Sequence, residues 1–239
     1  MGTPLRARQP GASLARTLVY EACRRAARLT LRLCFGLRAQ GVEHVPATGA
    51  LLIVANHESY LDPPCIGSSV TQRHLTYVAR AGLFAFKPFA WLIGTLNSIP
   101  IREDQGDAAA IREILARLAR GQAVLIFPEG SRTPDGEMRD FKRGVALLLK
   151  RAKCPVVPAA IDGAFERWPV ARRWPRVRGP RVRVLFGQPI PASTLLAEGT
   201  EQALAHVERD VRALRARLEG ARTPPHRRDP APGDTVPSP

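Results

Sequence analysis

The chain alternates short apolar runs with longer amphipathic stretches. Two runs, Ala50–Ala55 (ALLIVA) and Ala123–Phe127 (AVLIF), are apolar throughout, which is typical of strands buried on both faces of a parallel sheet. Asp107–Arg120 has apolar residues at helical spacing, with Asp107 as a candidate N-cap and Gly121 as a candidate stop. This alternation predicts an α/β domain with a mostly parallel central sheet flanked by helices.

The same pattern predicts the remaining elements and the division of the chain. Further strands are expected at Gly41–Val45, His74–Ala79, Ser98–Ile101, Pro155–Ile161 and Arg181–Phe186. Further helices are expected at Ser13–Arg38, Leu83–Thr95, Phe141–Lys153 and across Ala192–Leu218. The proline-rich residues 220–239 are expected to be disordered. We therefore expect a basic N-terminal helical segment (1–40), a main domain (41–219) and a tail (220–239).

Positive charge is concentrated in two parts of the chain. The formal net charge is +15; residues 1–40 hold eight arginines against Glu21, and residues 166–183 hold seven against Glu166. In the first part, leucines recur at three- to four-residue steps among the arginines, with a lapse near Arg25, which is typical of basic amphipathic helices on membrane surfaces. The alternative is a helix packed on the core with a solvated arginine face. Such patches favour anionic partners, either phospholipid headgroups or nucleic acid.

Other features bear on the location of the protein. Four scattered cysteines have neither metal-ligand nor disulfide spacing, which favours a reducing compartment and no metal site. The apolar stretch Leu83–Ile101 is interrupted by Lys87, Pro88 and Pro100, so it is expected to lie on a membrane rather than cross it. No secretory leader is expected. These features favour peripheral or monotopic attachment to a membrane over a membrane span.

His57 follows the first buried run and has an acidic residue, Asp62, five positions later. On one continuous helix the two side chains would point about 140° apart, so they meet only if a turn separates them. Pro63 and Pro64 favour an extended Asp62 that caps a helix starting at Pro63. A carboxylate beside His57 would fix its tautomer and let it act as a general base. Alternatively, Asp62 is only a helix cap.

The second buried run ends in a cluster suited to holding an anion. Gly130 lets the backbone approach a ligand closely, and Arg132 can bind phosphate in a forked geometry. Glu129 is expected either to bond a substrate hydroxyl or to hold Arg132 in place. Arg102 follows the Ser98–Ile101 strand and is a further candidate. A simple surface turn, and an exposed arginine paired with a neighbouring acid, are the alternatives.

Four segments together resemble the 1-acyl-glycerol-3-phosphate acyltransferase family of phospholipid synthesis. They are Asn56–Asp62 (NHESYLD), Ile99–Arg102 (IPIR), Phe127–Arg132 (FPEGSR) and Cys154–Ile161 (CPVVPAAI). The first and third match the family's His-four-residues-Asp and Phe-Pro-Glu-Gly-Ser/Thr-Arg signatures, and the others match looser patterns. The resemblance covers roughly residues 41–190. It departs before Arg102, where the family often has a glycine and an aromatic residue.

The resemblance implies transfer of an acyl group from acyl-CoA or acyl-carrier protein to the free sn-2 hydroxyl of 1-acyl-glycerol-3-phosphate. It implies catalytic roles for His57 and Asp62, substrate-binding roles for Arg102, Glu129, Gly130, Ser131 and Arg132, and neither cofactor nor metal. The expected partners are a lysophospholipid acceptor, the acyl donor and a phospholipid membrane, without nucleic acid. With such partners, the resemblance implies a location at the cytoplasmic face of the inner (plasma) membrane. Three alternatives stay open: another lysolipid acceptor such as a lyso-aminolipid, a nucleic-acid-binding protein, and a membrane adaptor with a decayed site.

Overall fold

The computed structural model describes residues 4–9, 11–101 and 106–222. Its sheet consists of strands β1 (Arg38–Gln40), β2 (Leu51–Ala55), β3 (Leu75–Arg80), β4 (Ser98–Ile101), β5 (Ala123–Ile126), β6 (Val156–Asp162) and β7 (Arg183–Phe186). The α-helices are α1 (Leu14–Phe35), α2 (Asp62–Ser69), α3 (Lys87–Thr95), α4 (Gly106–Ala119), α5 (Gly144–Ala152), α6 (Ala164–Arg167), α7 (Ala192–Leu196) and α8 (Thr200–Gly220). The predicted α/β class is confirmed.

The strands lie in the order β1-β7-β6-β2-β5-β3-β4. Neighbours from β6 to β4 run parallel, and β7 pairs antiparallel with β6. β2 and β5 are adjacent, with Val54 opposite Ile126. Their carboxyl ends therefore share one edge of the sheet, which is where ligands bind in open α/β folds.

Two apolar layers cover the sheet. Successive residues of β2 belong to different layers. Ile53 packs with residues of α1 and α2, and Leu52 packs with residues of α4, α5 and α8. Since side chains alternate across a strand, α1 and α8 lie on opposite faces of the sheet. All five residues of β2 are fully buried, as expected for a central parallel strand.

Helix α1 is an integral part of this packing. The Ser13 side chain caps its start by accepting from the Arg16 N–H, and Gly36 ends it in the left-handed conformation with φ of 62°. Tyr20, Leu31 and Phe35 are buried on its inner face. Among the described residues, no helix is long and apolar enough to cross a membrane.

Several predicted elements are corrected by the structure. The strand predicted at Gly41–Val45 is wrong: Val42–His44 forms a 3₁₀ turn after Gly41, whose φ is 70°. A strand, β1, forms instead where the end of the first helix was expected. The Leu83–Thr95 stretch splits into a 3₁₀ turn and α3, and Ala192–Leu218 splits into α7 and α8.

The predicted division of the chain stays a prediction. Segment 1–40 contains both α1 and β1, and β1 pairs in parallel with β7. Of the predicted tail, residues 223–239 lie outside the described residues.

Candidate active site

The candidate site lies at the carboxyl ends of β2, β5 and β6. Asn56, directly after β2, fixes this edge because its side-chain amide donates to the Ile161 carbonyl at 2.9 Å and accepts from the Ile161 N–H at 2.8 Å. This pair of bonds ties the end of β2 to β6. The loop that starts with His57 is thereby held beside the segment that follows β6.

His57 and Asp62 meet across a turn. The turn folds residues 58–61 back, and His57 Nδ1 lies 2.7 Å from Asp62 Oδ2. The imidazole also stacks on Phe127, with ring centroids 4.0 Å apart. Since Nδ1 is bonded to the carboxylate, Nε2 is the nitrogen left for a ligand. The His57 side chain is 18% exposed, whereas that of Asp62 is fully buried.

Asp62 orders the turn as well as the histidine. Its Oδ2 also accepts the backbone N–H groups of Glu58 and Ser59, each at 2.7 Å. The predicted extended cap at Asp62 is wrong: α2 begins at Asp62 itself after Leu61 in the helical region, and the carboxylate points back into the loop. The aspartate thus fixes the loop that carries its own histidine.

Burial governs the protonation of the pair. Burial raises the pKa of Asp62, while the N–H groups of Ser59 and Glu58 oppose this rise. Burial, followed by the positive charge of Arg132, lowers the pKa of His57 to about 3. The imidazole is therefore neutral near neutral pH, which is the form a general base requires.

Glu129 is a structural brace between loops. Its carboxylate accepts the His57 N–H at 2.7 Å and the Arg139 N–H at 3.0 Å, and the residue is only 4% exposed. No ion pair joins it to Arg132 within the described part of the chain. The two oxygens bind backbone amides, a role that the sequence did not indicate. The two roles expected from sequence, bonding a substrate hydroxyl and holding Arg132 in place, stay predictions.

Gly130 makes room for a lysine that the sequence motifs did not indicate. Its φ is 75°, and an added Cβ would overlap Cε of Lys142. The Lys142 backbone is fixed by an N–H bond to the Pro128 carbonyl at 2.9 Å. Since its side chain makes no ion pair with any described residue, the ammonium group is available to an anionic ligand. The two residues are twelve positions apart in the sequence, so no local spacing reveals the contact.

Arg132 rests on an aromatic platform. Its guanidinium lies 3.6 Å from the centre of the Tyr60 ring, a cation–π contact. Tyr60 in turn packs against Trp168, with ring centroids 5.1 Å apart. Tyr60 belongs to the Asn56–Asp62 motif, but its partner Arg132 belongs to the Phe127–Arg132 motif.

Two further candidates from the sequence remain. Ser131 accepts a hydrogen bond from Arg139 at 3.3 Å. Arg102 lies outside the described residues.

Glu58 fixes the start of α6, the helix that precedes Trp168. Its carboxylate accepts the N–H groups of Ala164 and Phe165, at 2.8 and 3.0 Å, at the start of α6. Ser59 Oγ donates to the Trp168 carbonyl at 2.7 Å. Burial, followed by the charge of Asp62, raises the pKa of Glu58 well above its usual range. The first motif therefore positions the aromatic platform as well as the base.

These groups border a cavity of about 930 Å³. Its polar lining includes His57, Arg80, Arg132 and Lys142, and the rest is mainly apolar. The apolar lining includes side chains from helices α1 to α5, among them Ala27, Pro64, Phe89, Leu92, Ile114 and Leu148. Within the described ranges, no group of three or more His, Cys, Asp or Glu side chains is arranged to hold a metal. The site combines a neutral histidine, cationic groups and room for an apolar chain.

Several known proteins resemble this chain. A family model described as Acyltransferase matches residues 36–162. The 1-acyl-sn-glycerol-3-phosphate acyltransferase of Pseudomonas aeruginosa is 32% identical over 196 residues, which cover 77% of this chain and 70% of the relative. The enzyme of the same name from Bacillus subtilis is 28% identical, with coverage of 72% and 82%. The chain spans only 45% of a chloroplastic relative from Brassica napus.

A solved structure is similar over most of the chain. The crystal structure of the 1-acyl-sn-glycerophosphate (LPA) acyltransferase PlsC from Thermotoga maritima is similar with a TM-score of 0.74 and 25% identity, over 87% of this chain and 83% of that one. The fold and the matched family model define an acyltransferase enzyme. The chain belongs to the PlsC-like 1-acyl-sn-glycerol-3-phosphate acyltransferase family, as its motifs predicted.

Proposed function

We propose that the enzyme transfers a fatty acyl group from acyl-CoA or acyl-carrier protein to the free sn-2 hydroxyl of 1-acyl-glycerol-3-phosphate, giving phosphatidic acid. The observation that carries this proposal is the combination in one cavity of a neutral, aspartate-held histidine with the cations Arg132 and Lys142. A phosphate monoester is a strong acceptor for both cations. The apolar lining fits an acyl chain, whose burial stabilises it by about 0.8 kcal/mol per methylene group.

The proposed reaction needs a base but no protein nucleophile. His57 Nε2 removes the proton from the acceptor hydroxyl, and the oxygen attacks the thioester carbonyl carbon. The tetrahedral intermediate collapses as the carbon–sulfur bond breaks, and the thiolate takes the proton from the imidazolium. Asp62, bonded to Nδ1, holds the tautomer and stabilises the imidazolium between these steps.

The substrate-binding roles follow the geometry. Arg132 and Lys142 hold the acceptor phosphate, and Gly130 leaves the space in which Lys142 lies. Ser131 and Glu129 shape the loop through Arg139. Arg102 is retained as a phosphate ligand on sequence grounds alone.

The lipid substrates place the reaction at a membrane, and two helices support docking there. Exposed apolar side chains lie on α1 (Leu29 and Leu33) and around α3 (Phe86 and Trp91). Both helices also line the cavity. We place the protein on the cytoplasmic face of the inner membrane, as a peripheral or monotopic enzyme; its four free cysteines fit a reducing compartment.

An acceptor panel tests the proposal. Purified protein is incubated with one labelled acyl-CoA and, in turn, lysophosphatidic acid, lysophosphatidylethanolamine, lysophosphatidylglycerol or a lyso-aminolipid. We expect the highest kcat/KM with lysophosphatidic acid, because it alone in this panel presents a terminal phosphate monoester to the two cations. A higher kcat/KM for an acceptor without that group would overturn the assigned acceptor and leave the acyl-transfer chemistry in place. A parallel assay with acyl-carrier protein identifies the donor.

A further inference from the structure

A second basic surface lies outside the catalytic groups, on the segment between α6 and β7. We call residues 168–182 the arginine loop; it contains five arginines and no acidic residue. Arg173, Arg176, Arg178 and Arg181 are exposed. Three apolar side chains are exposed among them: Trp174 is 70% exposed, Val177 61% and Val170 38%. Neither the core nor the candidate site uses these side chains.

The arginine loop is an ordered structure wrapped around one buried guanidinium. Arg167 is 4% exposed and donates to the carbonyls of Pro180 at 2.6 Å, Arg176 at 3.3 Å and Val177. The Arg176 N–H returns a bond to the Arg167 carbonyl at 2.7 Å, and Trp168 Nε1 donates to the Arg172 carbonyl at 3.1 Å. These hydrogen bonds hold the backbone of the arginine loop in one conformation. The exposed Trp174 side chain is therefore carried on an ordered backbone.

The arginine loop joins the end of α1 and the wall of the cavity. The Val182 N–H donates to the Phe35 carbonyl, and the Arg38 N–H donates to the Val182 carbonyl, both at 3.0 Å. The Arg167 guanidinium also lies 5.7 Å from the centre of the Phe35 ring. The last turns of α1 expose Leu29 and Leu33 beside Arg32, so the basic and apolar pattern continues from the helix into the loop. At its other end, Trp168 lines the cavity.

We infer that the arginine loop is a second membrane-docking element, which binds an anionic phospholipid surface together with α1. This inference rests on the proposed function for its lipid setting. Arginines near such a surface contribute about 1 kcal/mol each, and tryptophan is enriched where lipid meets water. Single-stranded nucleic acid would also pair with the arginines and stack a base on Trp174. Lipid is favoured because Val170 and Val177 are exposed beside Trp174 and because Leu29 and Leu33 extend the apolar surface along α1. Docking here holds the Trp168 wall close to the lipid.

Vesicle sedimentation tests the inference directly. The full chain is mixed with phosphatidylcholine vesicles with and without phosphatidylglycerol, and the bound fraction is compared for wild type and the loop variant Arg173→Glu/Trp174→Ala/Arg176→Glu. We expect selective binding of wild type to the anionic vesicles and a loss on the order of tenfold or more in the variant. The matched control is Arg209→Glu/Arg217→Glu, which makes the same charge change on α8, across the sheet. The binding of this control should stay within about twofold of wild type when both are measured at a salt concentration that screens the long-range effect of net charge.

Activity on dispersed substrates separates docking from catalysis. With a short-chain lysophosphatidic acid and a short-chain acyl-CoA free in solution, the loop variant should match wild type, whereas with vesicle-borne acceptor it should be slower. Equal vesicle binding by loop variant and wild type, or an equal loss in the α8 control, overturns the inference. Failure of every protein to transfer acyl groups overturns the proposed function instead, while the sedimentation result still decides docking.

Tryptophan quenching gives a second readout. In a Trp91→Phe background, bromine-labelled phosphatidylglycerol vesicles should quench emission more than in Trp91→Phe/Trp174→Phe, because Trp174 then contacts lipid. Equal quenching in the two proteins, or a stronger response to DNA or to an acidic carrier protein than to vesicles, contradicts lipid as the partner.

Discussion

At the scale of single residues, the neighbours of His57 set the orientation and the protonation state of its imidazole. Asp62 holds Nδ1 at 2.7 Å, and the backbone of His57 is fixed by Glu129 on one side and by the Thr133 N–H on the other. Preorganisation of this kind places the free nitrogen without further movement. Burial and the nearby guanidinium groups then decide at which pH that nitrogen is able to accept a proton.

The pH profile tests this electrostatic setting. Burial, Arg132 and Arg80 lower the pKa of His57 to about 3. The imidazole therefore stays neutral at pH values well below 6.5, the ordinary pKa of a histidine. We expect the acid limb of kcat/KM to lie clearly below pH 6.5. Arg132→Met removes a positive charge, raises the pKa and shifts this limb to higher pH, and Arg80→Met shifts it less. A wild-type limb at or above pH 6.5 would contradict the assignment.

Lys142→Met tests the lysine beside Gly130. Loss of a charge-assisted bond costs about 1.5–3 kcal/mol, so the KM for lysophosphatidic acid should rise on the order of tenfold or more while the KM for acyl-CoA changes little. Lys150→Met, at an exposed site on α5, is the control. An unchanged acceptor KM in Lys142→Met would remove the lysine from the phosphate site.

The sequence located part of this site and missed the rest for physical reasons. His57, Asp62 and the Glu129–Arg132 loop stood out because their motifs follow buried strands. Lys142 escaped because its contact with Gly130 depends on a chain reversal, and Tyr60 because its partner Arg132 comes from another strand end. Glu129 was identified as important, but only coordinates show that its oxygens bind backbone amides.

At the scale of elements, a buried ion cluster attaches α1 to the sheet. Glu21 is 2% exposed and pairs with Arg8 and Arg24, each at 2.7 Å, while His74 lies 3.2 Å away. Burial alone would raise the pKa of Glu21, but the hydrogen bonds from Arg24 and Arg8 outweigh it and lower the pKa to about 2. The cluster thus depends on the ionised carboxylate.

Glu21→Gln should therefore destabilise the fold. Removing one partner of a buried charge cluster costs about 3–5 kcal/mol, measured by urea unfolding at neutral pH. Because the folded pKa is depressed, the stabilisation is present above about pH 4.5 and is lost as the pH falls towards 2, so the gap between variant and wild type should narrow over that range. Glu113→Gln, whose pair with Arg117 is partly exposed to solvent, should cost under about 1 kcal/mol. A pH-independent gap would refute the linkage.

The limits of prediction at this scale are also physical. The runs ALLIVA and AVLIF mark central strands because both faces are buried. β1 was missed because an edge strand of three residues (Arg-Ala-Gln) has no apolar pattern. The Gly41–Val45 stretch has strand-like composition, but Gly41 adopts a left-handed conformation close to the Phe186 carbonyl and begins a turn instead.

At the scale of the whole molecule, the two faces of α1 have different roles. Its inner face is part of the core, through Tyr20, Leu31 and Phe35, and it lines the cavity. Its outer face exposes Leu29 and Leu33 at 60% and 76%. Deleting the segment would therefore damage the fold as well as any membrane contact, so surface substitutions are the informative test.

Leu29→Ser/Leu33→Ser should weaken binding to anionic vesicles several-fold and leave the urea midpoint close to that of wild type, because both side chains already face solvent. Leu147→Ser, at a leucine 40% exposed on α5 across the sheet, should leave vesicle binding unchanged. Equal binding by all three proteins would mean that the outer face of α1 does not contact the membrane.

The role of His57 as the base for acyl transfer to lysophosphatidic acid can be checked in one assay. Phosphatidic acid formed from labelled acyl-CoA is measured for wild type, His57→Ala and the control His206→Ala, whose histidine is on the surface of α8. We predict that His57→Ala, folded as judged by circular dichroism, loses roughly 10²–10⁴-fold in kcat, while His206→Ala matches wild type. Turnover by folded His57→Ala at a rate close to that of wild type would contradict the account.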